Sequence, residues 1–86
     1  MSHTPHELAD EFPDAVALIH QLKQDDRRFA GLADDHHRIN REIHRIEIGV
    51  DAAGDERLEL LKKQRLALLD EIGGWLSSAA RERQLS

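Results

Sequence analysis

Between Leu18 and Val50 the apolar residues fall on alternating steps of three and four: Leu18, Leu22, Phe29, Leu32, Ile39, Ile43, Ile46 and Val50. Only Asp25 and His36 interrupt the seam, and Ala15, Val16, Ile19 and Ala33 widen it. A 3.5-residue period kept for about five heptads is the pattern of a helix that holds one face against another helix. The reading is one long helix that starts at Pro13, with Asp14 in its first turn, and runs to Val50. At about 1.5 Å per residue, some 36 residues span roughly 54 Å. No core within an 86-residue chain hides a helix of that length.

A second stripe follows, on Leu58, Leu61, Leu68, Ile72, Trp75 and Ala79, with Arg65 as its only polar member and Leu69 and Leu76 alongside. Between the two stripes, Gly49-Val50-Asp51-Ala52-Ala53-Gly54-Asp55 offers a C-cap near Gly49 and an N-cap near Asp51 or Asp55, so it reads as a turn. In an antiparallel pair the numbers of facing residues have a nearly constant sum. A turn near residue 52 sets Ile46 opposite Leu58, Ile43 opposite Leu61, Ile39 opposite Arg65, His36 opposite Leu68, Leu32 opposite Ile72, Phe29 opposite Trp75 and Asp25 opposite Ala79. Each polar interruption then faces a residue of the other kind, so no layer is doubly charged. The fold class expected is all-α, an antiparallel two-helix hairpin of coiled-coil type.

The ends qualify this picture. Thr4, Pro5 and Glu7 have the spacing of a capping box, which gives a short helix through about Phe12. Pro13 then holds Phe12 extended, so residues 1–12 read as an N-terminal arm, 13–77 as the hairpin domain and 78–86 as a tail. Gly73-Gly74 costs the second helix about 2 kcal/mol relative to alanine, and fraying or a kink is expected there. If that helix ends near Ser77, Ala15, Val16, Leu18, Ile19 and Leu22 have no partner within the hairpin. An exposed apolar stripe of this kind marks an interface, here joined by Leu69 and Leu76, for a second copy or another protein.

Composition removes several function classes. Without cysteine there is no disulfide, thiolate metal site or cysteine nucleophile. No apolar run approaches the roughly 20 residues of a membrane span, and the first residues lack the regions of a signal peptide, so a soluble, cytoplasmic protein is expected. The net charge of −5 argues against tight binding to nucleic acid or to an anionic membrane. A core this small needs help, and with no disulfide to supply it, self-association into a dimer or tetramer is the expected source.

Candidate chemistry is sparse. Six histidines are many for this length, and Asp34-Asp35-His36-His37 is the densest group of potential ligands. Adjacent residues on a helix diverge by about 100°, so His36 and His37 do not share a metal as an i, i+4 pair does. Two copies of His36 meeting across a dimer would revive a metal site or a pH-sensitive interface. Asp25 reads as solvated near the open end, and Arg65 as reaching past Ile39 to Asp35 or Glu42. Asp34 with Arg38, Arg38 with Glu42, and Glu59 with Lys62 or Lys63 have the spacing of a solvated charged face. Arg57, Lys62, Lys63 and Arg65, with Arg38, Arg41 and Arg45, form basic groups, yet acidic residues are interspersed and no aromatics serve for base stacking. There is no phosphate loop, no serine elbow and no pocket in a two-helix rod, so no catalytic residue, cofactor or metal is assigned and no enzyme is expected.

Phe12-Pro13-Asp14, the run LKQDDRRF from Leu22 to Phe29, Leu32, Ile39, Ile43, Glu47 and the closing LKKQRLALLDEI from Leu61 to Ile72 occur in an order and spacing that resembles the YdcH family. That is a bacterial family of small proteins, a domain of unknown function. The resemblance covers about residues 12–73 and implies a self-associating helical hairpin without catalytic residues. The arm before Phe12, the Gly73-Gly74-Trp75 segment and the tail depart from it. The functional expectation is a non-enzymatic interaction and oligomerisation module, with a histidine-dependent metal or pH response and weak nucleic-acid binding as alternatives.

Overall fold

The computed structural model describes residues 6–85, with side chains to residue 82. The described residues are all-α: α1 (Leu8–Glu11), a 3-10 turn (Pro13–Ala15), α2 (Val16–Asp25), α3 (Arg27–Glu47) and α4 (Asp55–Leu85).

The expected unbroken helix from Pro13 to Val50 is corrected at one residue. Asp26 is extended (φ −133°, ψ 117°), and its carboxylate accepts from the backbone N–H of Arg28 at 2.8 Å and of Phe29 at 3.2 Å. Aspartate is among the strongest N-caps because its oxygen satisfies helix-start donors that otherwise lack partners. Asp26 N–H closes α2 on Leu22 O at 2.9 Å, while Asp26 O accepts from Ala30 N–H at 3.0 Å and opens α3. One residue therefore ends one helix and starts the next, and α2 folds back against α3.

This reversal changes where the core lies. Leu8 of α1, Ile19 of α2, Phe29 and Ala33 of α3, and Ile72 and Leu76 of α4 form one buried cluster, with Phe12, Ala15, Leu18, Leu22, Leu32, Leu69 and Trp75 packed around it. Leu18, Ile19 and Leu22 thus have partners within the chain, against the expectation that they project beyond it. The buried residues of α3 are Phe29, Ala33, His36, Asn40 and Ile43. They form a stripe rotated from the expected Leu32–Ile39–Ile46 side, because α3 is covered by α2 on one flank and α4 on the other.

The C-terminus of α3 is a Schellman motif. Val50 N–H reaches Arg45 O at 2.9 Å and Gly49 N–H reaches Ile46 O at 3.1 Å, with Gly49 at φ +83°. Glycine takes that left-handed conformation without a Cβ clash. After the turn, α4 packs against α3, with Lys62 paired to Glu47, Arg57 to Glu42 and the Trp75 ring against Phe29.

Two expectations about the ends are also corrected. The helix runs through Gly73-Gly74 and on to Leu85 rather than ending near Ser77. Buried Ile72 and Leu76 flank the pair, and the Phe12 ring lies where a Cβ on Gly73 would meet it at 3.7 Å, so packing outweighs the local propensity. At the other end Glu7 is the N-cap of α1 rather than its third residue, its N–H donating to Asp10 Oδ2 at 3.2 Å. Thr4 and Pro5, the expected cap, lie outside the described residues.

Candidate functional site

The helix reversal at Asp26 builds a groove between α2 and α3 that is closed at one end by α1. Glu7, Leu8, Val16, Ile19, His20 and Lys23 line one side, and Ala33, Asp34, His36 and His37 the other, around about 370 Å³. His36, at 0 % exposure, is the buried polar residue of this lining, and Asn40, at 1 % exposure, follows it one helical turn on along α3.

Arg65 of α4 donates from Nη1 to Asn40 Oδ1 at 3.0 Å, so it reaches Asn40 rather than the expected Asp35 or Glu42. Asn40 Nδ2 points to Glu7 Oε1 at 3.5 Å, and the other Glu7 oxygen lies 3.2 Å from His37 Nδ1. Glu7 thus ties α1 to α3. Neither ring nitrogen of His36 has a hydrogen-bond partner among the described residues. Burial pushes the His36 pKa below its ordinary 6.5, with Arg65 and His37 acting in the same direction and the nearby Glu7 and Glu11 carboxylates opposing. A neutral imidazole enclosed without a partner costs roughly 1–3 kcal/mol.

Of the expected interface residues, Ile19 and Leu76 are buried, Ala15, Leu18, Leu22 and Leu69 are half-buried, and Val16 is exposed. Of the expected hairpin core, Phe29, Ile43, Leu61 and Ile72 are buried and Leu32, Ile39, Ile46, Leu58, Leu68 and Trp75 half-buried. Asp25 is exposed at the end of α2. Asn40 and Glu7 escaped the sequence reading. The signal for Asn40 is the alternative stripe Phe29, Ala33, His36, Asn40, Ile43, which keeps heptad steps and shares Phe29, His36 and Ile43 with the apolar seam while taking Ala33 and Asn40 in place of Leu32 and Ile39. Glu7 has no comparable signal, since its partners lie about thirty residues away.

The basic residues gather elsewhere. Arg38, Arg41, Arg45 and Arg57 line an open groove of about 650 Å³ beside the turn. Arg38 pairs with Asp35 and Arg45 with Asp51, each at 3.2 Å, and Arg57 pairs with Glu42. Most of this charge is therefore locally compensated. Among the described residues, no helix is long and apolar enough to cross a membrane, and no three potential ligands group as a metal site.

A family model described as a protein of unknown function, DUF465, matches residues 29–74, more than half of the chain. The uncharacterized protein YdcH of Escherichia coli (strain K12) is 40% identical over 62 residues, which cover 71% of this chain and 82% of that protein. YdcH of Shigella flexneri matches to the same extent. No solved structure matches the chain. The matched span takes in α3, the turn and most of α4, the elements that carry Phe29, His36, Asn40, Arg65 and Ile72, and the chain belongs to the DUF465 family of proteins of unknown function.

Proposed function

We propose that this protein is a non-enzymatic helical module of the bacterial cytoplasm that works by associating with itself. In this reading α3 and α4 are an antiparallel hairpin of coiled-coil type, and α1 and α2 complete its core. The observation that carries the proposal is incomplete burial. The chain exposes 6223 Å², whereas a compact monomer of 9.8 kDa exposes about 5,200 Å². Its radius of gyration is 14.3 Å, against about 12 Å for a compact 86-residue domain. Exposed Val16, Ile48, Val50, Leu60 and Leu66 supply apolar surface for a second chain to cover. Sedimentation equilibrium at micromolar concentrations tests this: a mass of two or more chains is expected, and a single-chain mass throughout overturns it.

A second reading, a pH-responsive module, draws support from the buried, unpartnered ring of His36. It is compatible with the first, because a histidine that resists protonation couples the packing of α1 and α2 to pH.

A further inference from the structure

The helix break at Asp26 contains a geometric coincidence. α2 folds back on α3 about Asp26: Ile19 and Ala33 share one buried cluster, Val16, Ile19, Ala33 and His36 line one groove, and Ile19 and Ala33, like Val16 and His36, are equidistant from residue 26 along the chain. Yet the heptad phase runs across the break without a slip, from Leu18 and Leu22 to Phe29 and Leu32. Two separate helices that fold against each other do not need a shared phase. One continuous helix does.

Both facts are satisfied if two copies exchange their N-terminal segments. With Asp26 helical, α2 and α3 become one helix of about 32 residues, roughly 48 Å long. Two such helices side by side and antiparallel, with a twofold axis at Asp26, set Ile19 opposite the partner's Ala33 and Val16 opposite the partner's His36. Those are residues that the folded-back chain gathers in one cluster and one groove within itself. A hinge of one residue is also what favours exchange, because it leaves the reversal little slack.

We propose that the protein dimerises by domain exchange, α1 and α2 of each copy leaving their own α3 and α4 and docking on those of a second copy as Asp26 straightens. This rests on the self-association proposed above and specifies its route. The occupant of the α3–α4 face is the same segment in both states, so no new side-chain complementarity is needed. The balance lies in the hinge and in protein concentration.

Two opposed variants test the hinge. Asp26→Ala removes the carboxylate that accepts from Arg28 and Phe29 and introduces a strong helix former. Arg27→Pro fixes the break, because proline suits the first helical position and holds the preceding residue extended, the conformation Asp26 has. By sedimentation equilibrium, Asp26→Ala should tighten the dimer by about tenfold or more, and Arg27→Pro should weaken it by a similar factor. Wild-type dimerisation unchanged in both variants overturns exchange while leaving self-association standing. Wild type and Asp26→Ala that are both monomeric overturn the two together.

Cross-linking decides the matter if Arg27→Pro does not fold. The chain has no cysteine, and Glu7 Oε2 lies 3.2 Å from His37 Nδ1. Glu7→Cys and His37→Cys are made in separate chains of distinguishable mass, mixed, equilibrated and oxidised. A disulfide joining the two different chains is the expected product. Its absence, when the double variant forms the bond within one chain, overturns exchange.

Discussion

The rings of Phe29 and Trp75 meet edge to face, with centroids 6.1 Å apart and planes at 66°, and this contact pins the start of α3 to the middle of α4. Phe29 is fully buried among residues from all four helices. Edge-to-face pairing adds to the area it removes from water.

Phe29→Ala is expected to lower stability by about 3–5 kcal/mol. Urea denaturation followed by the fluorescence of Trp75, the single tryptophan, measures it at one fixed protein concentration, since association contributes to apparent stability. A loss under about 1 kcal/mol would contradict the packing described for this cluster.

Glycine substitutions should have opposite signs at two positions. At Gly49 the backbone is left-handed, so Gly49→Ala is expected to cost about 1–2 kcal/mol. At Gly74, inside α4, an added Cβ meets nothing within 4 Å, so Gly74→Ala should gain about 1 kcal/mol. Thermal melting shows this as midpoints moving in opposite directions, by several degrees each. Shifts of the same sign would refute the assignment.

His36 predicts a pH dependence of stability. In the unfolded chain its imidazole titrates near the ordinary 6.5, while in the folded chain burial holds the pKa lower. As pH falls below 6.5 the unfolded state takes up a proton that the folded state resists, so stability declines; above 6.5 the contribution is fully present. His36→Leu should flatten that part of the stability profile and stabilise the protein more at pH 5 than at pH 8. Parallel profiles for wild type and variant would rule out His36 as the source.

Glu7→Ala should act locally. The carboxylate it removes faces His37 and Asn40, and partly exposed contacts of this kind contribute under about 1 kcal/mol globally. Hydrogen exchange should nevertheless accelerate at Glu11 and Phe12, whose N–H groups bond to Glu7 O and Leu8 O, while amides near Ile43 and Leu61 keep their protection. Equal acceleration in both regions would mean that α1 is not an independently opening unit.

The helical class, the turn at Gly49 and the opposition of Phe29 to Trp75 were legible in the chain as written, because apolar period and capping chemistry are local or depend only on register. The break at Asp26 had a local sign, an aspartate three residues before Phe29, but the unbroken heptad outweighed it. The continuity of α4 through Gly73-Gly74 was not legible, since it depends on Phe12 lying across Gly73 from about sixty residues away.

The sequence by itself determined the apolar positions, the all-α class and the turn at Gly49. Only the tertiary structure decided that α2 turns back, that Ile19 and Leu76 lie inside, and that His36 and Asn40 are enclosed with Arg65 and Glu7 beside them. The physical reason is that a heptad specifies a face and a register but not which helix covers that face. A cap bonded to two N–H groups at one residue, together with burial of a long-range cluster, selects between a straight helix and a folded one.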